Sequence, residues 1–206
     1  MTLFTQLRIK EENVGYSSCW YTPATLVKAI RDTLGGQIDL DPCSDHKANQ
    51  VIQAYQYYSG MGVEGGLAKA WGNVNKPNAV YCNPPGLKDR DDDDAPKYRD
   101  RPHKFWNKLL EEVSAGRVSH GIFMIFNINQ LCTMQSLDAN PLHYPTCILR
   151  RRIKFLEQKD PNSFELFPAT SPANHSALVY VPGIIDNTEE FIDNFLPLGE
   201  VVGTLY

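Results

Sequence analysis

The chain has 206 residues, and 20 lysines and arginines against 24 aspartates and glutamates give it a formal net charge of −4 at pH 7. This length suits one domain, and a hydrophobic share of 42% excludes disorder throughout the chain. No apolar run reaches the length of a membrane-spanning helix, and residues 1–12 lack the apolar segment of a signal peptide. We therefore expect a single soluble, intracellular domain over residues 1–206, in which any site for a polyanion comes from a local basic patch.

The N-terminal part of the chain predicts a helix, a short strand and a second helix. Thr22-Pro23 is a typical helix start, apolar side chains recur at helical spacing up to Leu34, and Gly35-Gly36 ends the helix. A short buried strand is predicted over residues 37–40, and apolar residues at helical spacing predict a helix over residues 45–58.

Apolar runs and the turns between them predict the remaining elements. In chain order they are a strand at Asn78–Cys82, a helix around 105–113, strands at 119–126, Thr146–Leu149, 153–156 and 176–181, a helix at 188–196 and a strand at 200–205. Alternating strands and helices indicate an α/β layered sheet. Ligands of such sheets bind at the carboxyl ends of strands, which here are residues 39–44 and 83–86.

Residues 87–101 form a polar, highly charged segment that includes four consecutive aspartates, Asp91 to Asp94. We predict an exposed, mobile loop inserted at about 87–101. Its acidic half would repel phosphate, so we expect a lid or a protein-contact loop rather than a segment that reads DNA.

Cysteines and histidines give no sign of a metal site. The five cysteines include no Cys-x-x-Cys pair, their odd number argues against a complete disulfide framework, and the five histidines show no metal-ligand spacing. We predict no metal.

Asn83-Pro84-Pro85, directly after an apolar strand, is the sharpest chemical signal. A planar exocyclic amine is a poor nucleophile because its lone pair is delocalised into the ring. If the Asn83 Oδ1 and the Pro84 carbonyl both accepted the amine hydrogens, the nitrogen would become pyramidal and could attack an electrophile. The alternative is a turn that merely ends a strand.

Two other segments are candidates for binding. The carboxylates of Asp39 and Asp41, before Pro42, could hold an ammonium group or ribose hydroxyls of a cofactor, or could simply form a turn. Neither a Gly-x-Gly-x-x-Gly nor a Walker motif occurs. Arg150, Arg152 and Lys154 lie in the densest basic run, which could neutralise phosphates or could protect a solvated edge strand, with Arg152 and Lys154 on one strand face.

Taken in order, five segments resemble the phage-type DNA adenine-N6 methyltransferases over about residues 20–182. They are Trp20-Tyr21-Thr22-Pro23, Ile38-Asp39-Leu40-Asp41-Pro42, Gly66-Leu67 with Trp71, Tyr81-Cys82-Asn83-Pro84-Pro85 and Arg152-Ile153-Lys154-Phe155. The resemblance implies an abbreviated class I, Rossmann-like methyltransferase sheet with helices on both faces. It also implies a phage- or prophage-encoded enzyme in the cytoplasm of a bacterial host.

The resemblance further implies a role for each group of residues. The catalytic residues, which hold an adenine flipped out of the duplex, would be Asn83, Pro84 and Pro85. The residues around S-adenosylmethionine would be Trp20, Thr22, Pro23, Asp39, Asp41, Pro42 and, where the family often carries an acid, Glu64. The DNA contacts would be Arg150, Arg152 and Lys154.

The chain departs from the family pattern in two ways. An aromatic residue that stacks on the adenine normally follows the two prolines, but here the residue is Gly86, and losing one stacking platform costs about 1–3 kcal/mol. The rings that could replace it after the loop are Tyr98, Phe105 and Trp106. The stretch 42–77 is also short for this fold, and only 55–58 and 67–71 could supply the missing strands.

Three alternatives remain. The fold could bind cofactor, DNA or protein without turnover, as Gly86 and the charged loop suggest. The same amine geometry would serve methylation of RNA or of a protein glutamine. Pro42-Cys43 and Glu12-Asn13-Val14 resemble motifs of cytosine-C5 methyltransferases, although their order is inverted and Cys43 falls in the segment assigned to the cofactor.

Overall fold

The computed structural model describes residues 20–59, 65–85, 100–135, 139–158, 165–170 and 174–203. Seven strands in these ranges form one sheet, in the order β2-β1-β3-β4-β8-β5-β9, and β6 and β7 form a separate two-stranded pair. The strands are β1 (Leu40–Asp41), β2 (Gln56–Tyr57), β3 (Asn78–Cys82), β4 (Val118–Ile125), β5 (Thr146–Leu149), β6 (Leu156–Gln158), β7 (Leu166–Pro168), β8 (Ala177–Pro182) and β9 (Gly199–Val202).

The sheet is parallel in one half and mixed in the other. Strands β2, β1, β3 and β4 run parallel to one another. Strand β8 is antiparallel to both β4 and β5, so β5 points the same way as β4, and β9 closes the far edge antiparallel to β5. The predicted α/β class is therefore confirmed.

Helices cover both faces of the sheet. They are α1 (Ala24–Thr33), α2 (His46–Ile52), α3 (Asp100–Ser114), α4 (Ile128–Met134) and α5 (Thr188–Phe195), and a short 3₁₀ helix covers Pro141–His143. Alternate residues of β3 enter different cores: Tyr81 packs with α1 and α5, and Cys82 packs with α3 and α4. This alternation follows from the two-residue period of a strand. Within the described ranges no helix is long and apolar enough to cross a membrane.

Several predicted elements are confirmed, and two have exact bounds. Strands β3 and β5 occupy Asn78–Cys82 and Thr146–Leu149, as predicted. Helix α1 ends before Gly35 and Gly36, both of which have positive φ, as a helix stop at these residues requires. Strand β2 supplies the missing strand expected at 55–58.

Several predictions on elements are wrong, including the strand over 37–40, which forms only at Leu40–Asp41. The helix over 45–58 ends at Ile52, because Gln53 adopts a left-handed conformation (φ 53°) and the chain then turns into β2. Residues 67–71 form turns instead of a strand, and residues 153–155 are not a strand, since β6 begins only at Leu156. The predicted loop at 87–101 ends earlier, because Asp100 begins α3, while residues 86–99 lie outside the described residues.

Candidate active site

The two strand ends singled out in the sequence meet at the point where the strand order reverses. The chain passes from β1 outward to β2 on one side, and from β3 to β4 on the other side. The carboxyl ends of β1 and β3 therefore flank the crevice in which open α/β sheets bind ligands. Cys43, after β1, and Cys82, at the end of β3, have their Sγ atoms 3.5 Å apart, so the two loops are in direct contact.

Asp41 is a buried carboxyl group at this crevice. Its side chain is 2% exposed, and its Oδ1 accepts a hydrogen bond from the Cys43 amide at 3.0 Å. Burial raises the pKa of Asp41 to about 7, although the Cys43 amide and the neighbouring Ser44 hydroxyl act to lower it. The carboxyl is therefore close to half-ionised at neutral pH, and a cation bound beside it would favour the charged form.

The Asp39 side chain is engaged in hydrogen bonds within the sheet. Its Oδ2 accepts a hydrogen bond from the Ala79 amide at 2.9 Å, and its Oδ1 accepts one from the Gln37 side chain at 2.6 Å. Asp39 thus joins β1 to β3 before the carboxyl edge is reached. Glu64, the other acid assigned to the cofactor, lies outside the described residues.

Asn83 is held by the segment that precedes α1. Its Nδ2 donates to the Trp20 carbonyl at 3.2 Å and to the Thr22 Oγ1 at 3.4 Å. No described residue donates a hydrogen bond to its Oδ1 or to the Pro84 carbonyl. Pro84 is buried and Pro85 half-buried, and their rings fix the φ angles of the turn at residues 83–85, which we call the Asn83 corner. Among the described residues, the Asn83 Oδ1 and the Pro84 carbonyl therefore have no hydrogen-bond donor.

Thr22 links this corner to the core. It is 2% exposed, and its Oγ1 lies 2.7 Å from the hydroxyl of the fully buried Tyr81. Pro23 is the N-cap of α1 and has an extended backbone, so residues 20–23 are not helical. This extended segment passes the end of β3, where Trp20 and Thr22 bind Asn83. The predicted cofactor residues Trp20, Thr22 and Pro23 therefore lie beside Asn83.

Phe126, which the sequence did not single out, packs on the ring of Trp20, whose carbonyl accepts the hydrogen bond from Asn83. Phe126, directly after β4, lies 5.8 Å from the Trp20 ring and 5.0 Å from the Phe155 ring, centroid to centroid. Trp20 and Phe126 are both half-buried. The position of Phe126 at the carboxyl end of a central strand is the signal in the sequence that pointed to it.

Two of the three rings predicted to replace the aromatic residue absent at Gly86 cannot do so. Trp106 is fully buried, packs on Phe123 and donates its indole N–H to the Ala139 carbonyl at 2.8 Å. Phe105 is 6% exposed and stacks on Trp71. Both rings face the core, while Tyr98 and Gly86 lie outside the described residues.

Gly66 and Trp71 support the loop after β1. The Trp71 indole N–H donates to the Gly66 carbonyl at 2.6 Å, and Trp71 is fully buried. A Cβ on Gly66 would lie 2.1 Å from the Pro42 carbonyl oxygen, so only glycine allows this approach. The Gly-Leu segment therefore fixes the position of Pro42, which is itself buried.

The basic segment (residues 150–154) reaches the same edge of the sheet. It follows the carboxyl end of β5, which is level with the end of β4, because Ala177 of β8 pairs with both Ile125 and Ile148. Arg150, Arg152 and Lys154 are exposed. The prediction that Arg152 and Lys154 share a strand face is wrong, because residues 152–154 form no strand and β6 begins only at Leu156. Backbone hydrogen bonds between Tyr21 and Leu156, at 2.9 and 2.8 Å, bring the segment back beside residues 20–23.

Cys43 is poorly suited to nucleophilic attack. Burial and the neighbouring Cys82 thiol raise its pKa well above the ordinary value, so the reactive thiolate is disfavoured. The geometry therefore gives no support to the cytosine-C5 alternative.

Comparisons of the chain with protein-family models, with curated proteins and with solved structures find no match. The site is consequently interpreted from its own residues.

Proposed function

We propose that the protein transfers a methyl group from S-adenosylmethionine to the N6 amine of adenine in DNA, on a methyltransferase-like α/β fold. One observation carries the proposal. The Asn83 Oδ1 and the Pro84 carbonyl, two oxygens without hydrogen-bond donors among the described residues, follow β3 at the reversal point of the sheet. The loop after the buried Asp41 meets the end of β3 there, through the contact between Cys43 and Cys82. The ordered motifs of the sequence support the same activity.

The chemistry of Asn83 and Pro84 is one of positioning. Each oxygen accepts one hydrogen of the adenine amine, so the nitrogen becomes pyramidal and its lone pair points away from the two acceptors. S-adenosylmethionine supplies an electrophilic methyl carbon. The amine lone pair forms the new N–C bond while the bond between the methyl carbon and the sulfonium sulfur breaks, its electron pair stays on sulfur, and S-adenosylhomocysteine leaves. The nitrogen then loses one proton to solvent, and no covalent enzyme intermediate is needed.

The residues near Asp41 fit a cationic cofactor. A buried carboxyl with a pKa of about 7 gains most from a positively charged partner, which S-adenosylmethionine offers in its ammonium and sulfonium groups. The buried Ser44 hydroxyl lies beside this carboxyl and lowers its pKa, so it supports the charged form that would bind the cofactor.

The surroundings of Asn83 fit an extruded base on DNA. A base must leave the duplex before its amine can reach such a corner, and aromatic rings commonly hold flipped bases. Trp20, whose carbonyl binds Asn83, packs its ring on Phe126, so two half-buried rings are near enough to be candidates for this role. The exposed basic segment lies at the same edge of the sheet, where it could contact phosphates.

The test is methyl transfer to DNA followed at the level of nucleosides. The full chain is incubated with DNA of mixed sequence and isotopically labelled S-adenosylmethionine, and the digested DNA is analysed by mass spectrometry. We expect labelled N6-methyladenine, lost in Asn83→Ala and retained in Asn75→Ala, a control in an exposed turn.

Other outcomes would contradict the proposal. Label in RNA or in protein glutamine, with none in DNA, would show that the substrate class is wrong. Binding of S-adenosylmethionine or DNA with no transfer to any substrate would favour a binding module. No binding of either would reject the assignment altogether.

A further inference from the structure

The orientation of the Asn83 amide is set by its neighbours. The Trp20 carbonyl, 3.2 Å from one amide atom, can only accept a hydrogen bond, so the amide atom that faces it must be the nitrogen. The same nitrogen donates to the Thr22 hydroxyl at 3.4 Å. These two contacts direct the Oδ1 to the opposite side, away from residues 20–22.

Thr22 is itself held from the core. Tyr81 and Asn83 are two residues apart, so their side chains leave the chain on the same side. The Tyr81 hydroxyl contacts the Thr22 Oγ1 at 2.7 Å in a fully buried position, and burial raises the pKa of Tyr81 well above its usual value, so the phenol stays neutral. A hydroxyl can donate one hydrogen bond and accept two, so Thr22 can bind both neighbours at once.

We infer that Thr22, held in place by Tyr81, is a positioning residue that locks the Asn83 amide with its oxygen toward the substrate amine. The inference rests on the proposed function, and it gives Thr22 a role on the substrate side instead of the cofactor side that the family resemblance implies. Without Thr22 only the Trp20 carbonyl still holds the amide nitrogen, so the amide turns over more readily. Its NH₂ group would then face the substrate amine, and two donors cannot bind each other.

Substitutions at two positions test the lock. Thr22→Val keeps the shape and removes both hydrogen bonds, Thr22→Ser keeps the hydroxyl, and Tyr81→Phe removes only the support. We expect single-turnover methyl transfer at saturating S-adenosylmethionine to fall about 10- to 100-fold in Thr22→Val. Tyr81→Phe should lose less, and Thr22→Ser should recover to within about threefold of the wild type.

Two further measurements separate positioning from other roles. The dissociation constant of S-adenosylmethionine, measured by calorimetry, should stay within about twofold in Thr22→Val, whereas a cofactor contact would weaken it about 5- to 10-fold. The ¹⁵N-labelled side-chain amide of Asn83, identified by its absence in Asn83→Asp, should exchange its protons with water faster in Thr22→Val. The double variant Thr22→Val/Tyr81→Phe avoids a buried unpaired hydroxyl and serves if the single variant does not fold.

The results distinguish two kinds of failure. If the wild type methylates nothing, the proposed function fails, while faster exchange of the Asn83 amide in Thr22→Val would still support the lock. If the wild type methylates DNA and Thr22→Val retains its full rate and its slow amide exchange, the lock is wrong. A loss confined to S-adenosylmethionine affinity would also overturn it and return Thr22 to the cofactor.

Discussion

Replacing Asp41 by asparagine should make the protein more stable at alkaline pH. Asp41 is 2% exposed, and burial raises its pKa from 3.8 to about 7. Asparagine has nearly the same shape and still offers an oxygen to the Cys43 amide, but it carries no charge. The substitution therefore removes the cost of ionising a buried group and leaves its contacts in place.

The direction of the pH effect follows from linkage. Because the folded pKa lies above the unfolded value, the contribution of Asp41 to stability is complete below about pH 3.8 and is lost as the pH rises through 7. The difference between the two pKa values corresponds to about 4 kcal/mol. About 2–3 kcal/mol of this falls between pH 5 and pH 8.

Urea unfolding of the wild type and of Asp41→Asn at pH 5 and pH 8 measures the effect. We expect the difference between their free energies of unfolding to shift by about 2–3 kcal/mol in favour of Asp41→Asn over this interval. Burial lowers the pKa of His120, so His120 removes stability as the pH falls below 6.5, but it does so equally in both proteins and cancels in the difference. A difference that does not change with pH would refute the reasoning.

Four further predictions concern the same edge of the sheet and its support. The affinity for S-adenosylmethionine should weaken by up to about tenfold for each pH unit below 7, because Asp41 must lose its proton to bind a cation, and calorimetry on Asp41→Asn should show no such dependence. Gly66→Ala should lower the free energy of unfolding by about 1–3 kcal/mol, measured in urea, since its new methyl group meets the Pro42 carbonyl. Glu112→Gln should cost about 2 kcal/mol, with the difference from the wild type shrinking below pH 4.5, because two ion pairs with cations at 2.6 Å hold the pKa of this carboxyl below its usual value. Neutralising Arg150, Arg152 and Lys154 together should lower the slope of log binding constant against log salt concentration, for DNA, by about one to three units. Lys28→Gln, on α1, should leave this slope unchanged.

The elements that the sequence predicted best are those bounded by residues that no strand or helix can continue through. Strand β3 has its exact bounds because Asn83-Pro84-Pro85 ends it, and α3 ends near Gly116, whose φ is +69°. Helix α2 was predicted too long because apolar residues continue at helical spacing to Tyr55. Tyr55 is in fact 83% exposed, beyond the turn at Gln53.

The sequence did not predict the short helix α4 or the contacts between residues far apart in the chain. Helix α4 has seven residues with only Leu131 and Met134 buried, which is too little periodicity to recognise. The two strand ends singled out in the sequence do lie close together, because the topology of α/β sheets brings such ends to one edge. The contact between Thr22 and Tyr81 joins residues far apart in the chain, so no local pattern predicts it.

The antiparallel position of β8 bears on how the chain is synthesised. Strand β4 is buried along its whole length, yet the strand that pairs with its second edge follows only after α4, β5 and the β6–β7 pair. Until β8 leaves the ribosome, that edge of β4 has unpaired backbone groups and an apolar surface, which favour aggregation. Nascent or truncated chains that stop before residue 177 should therefore depend on chaperones, even though every residue of the Asn83 corner and of the loop after β1 has already been made.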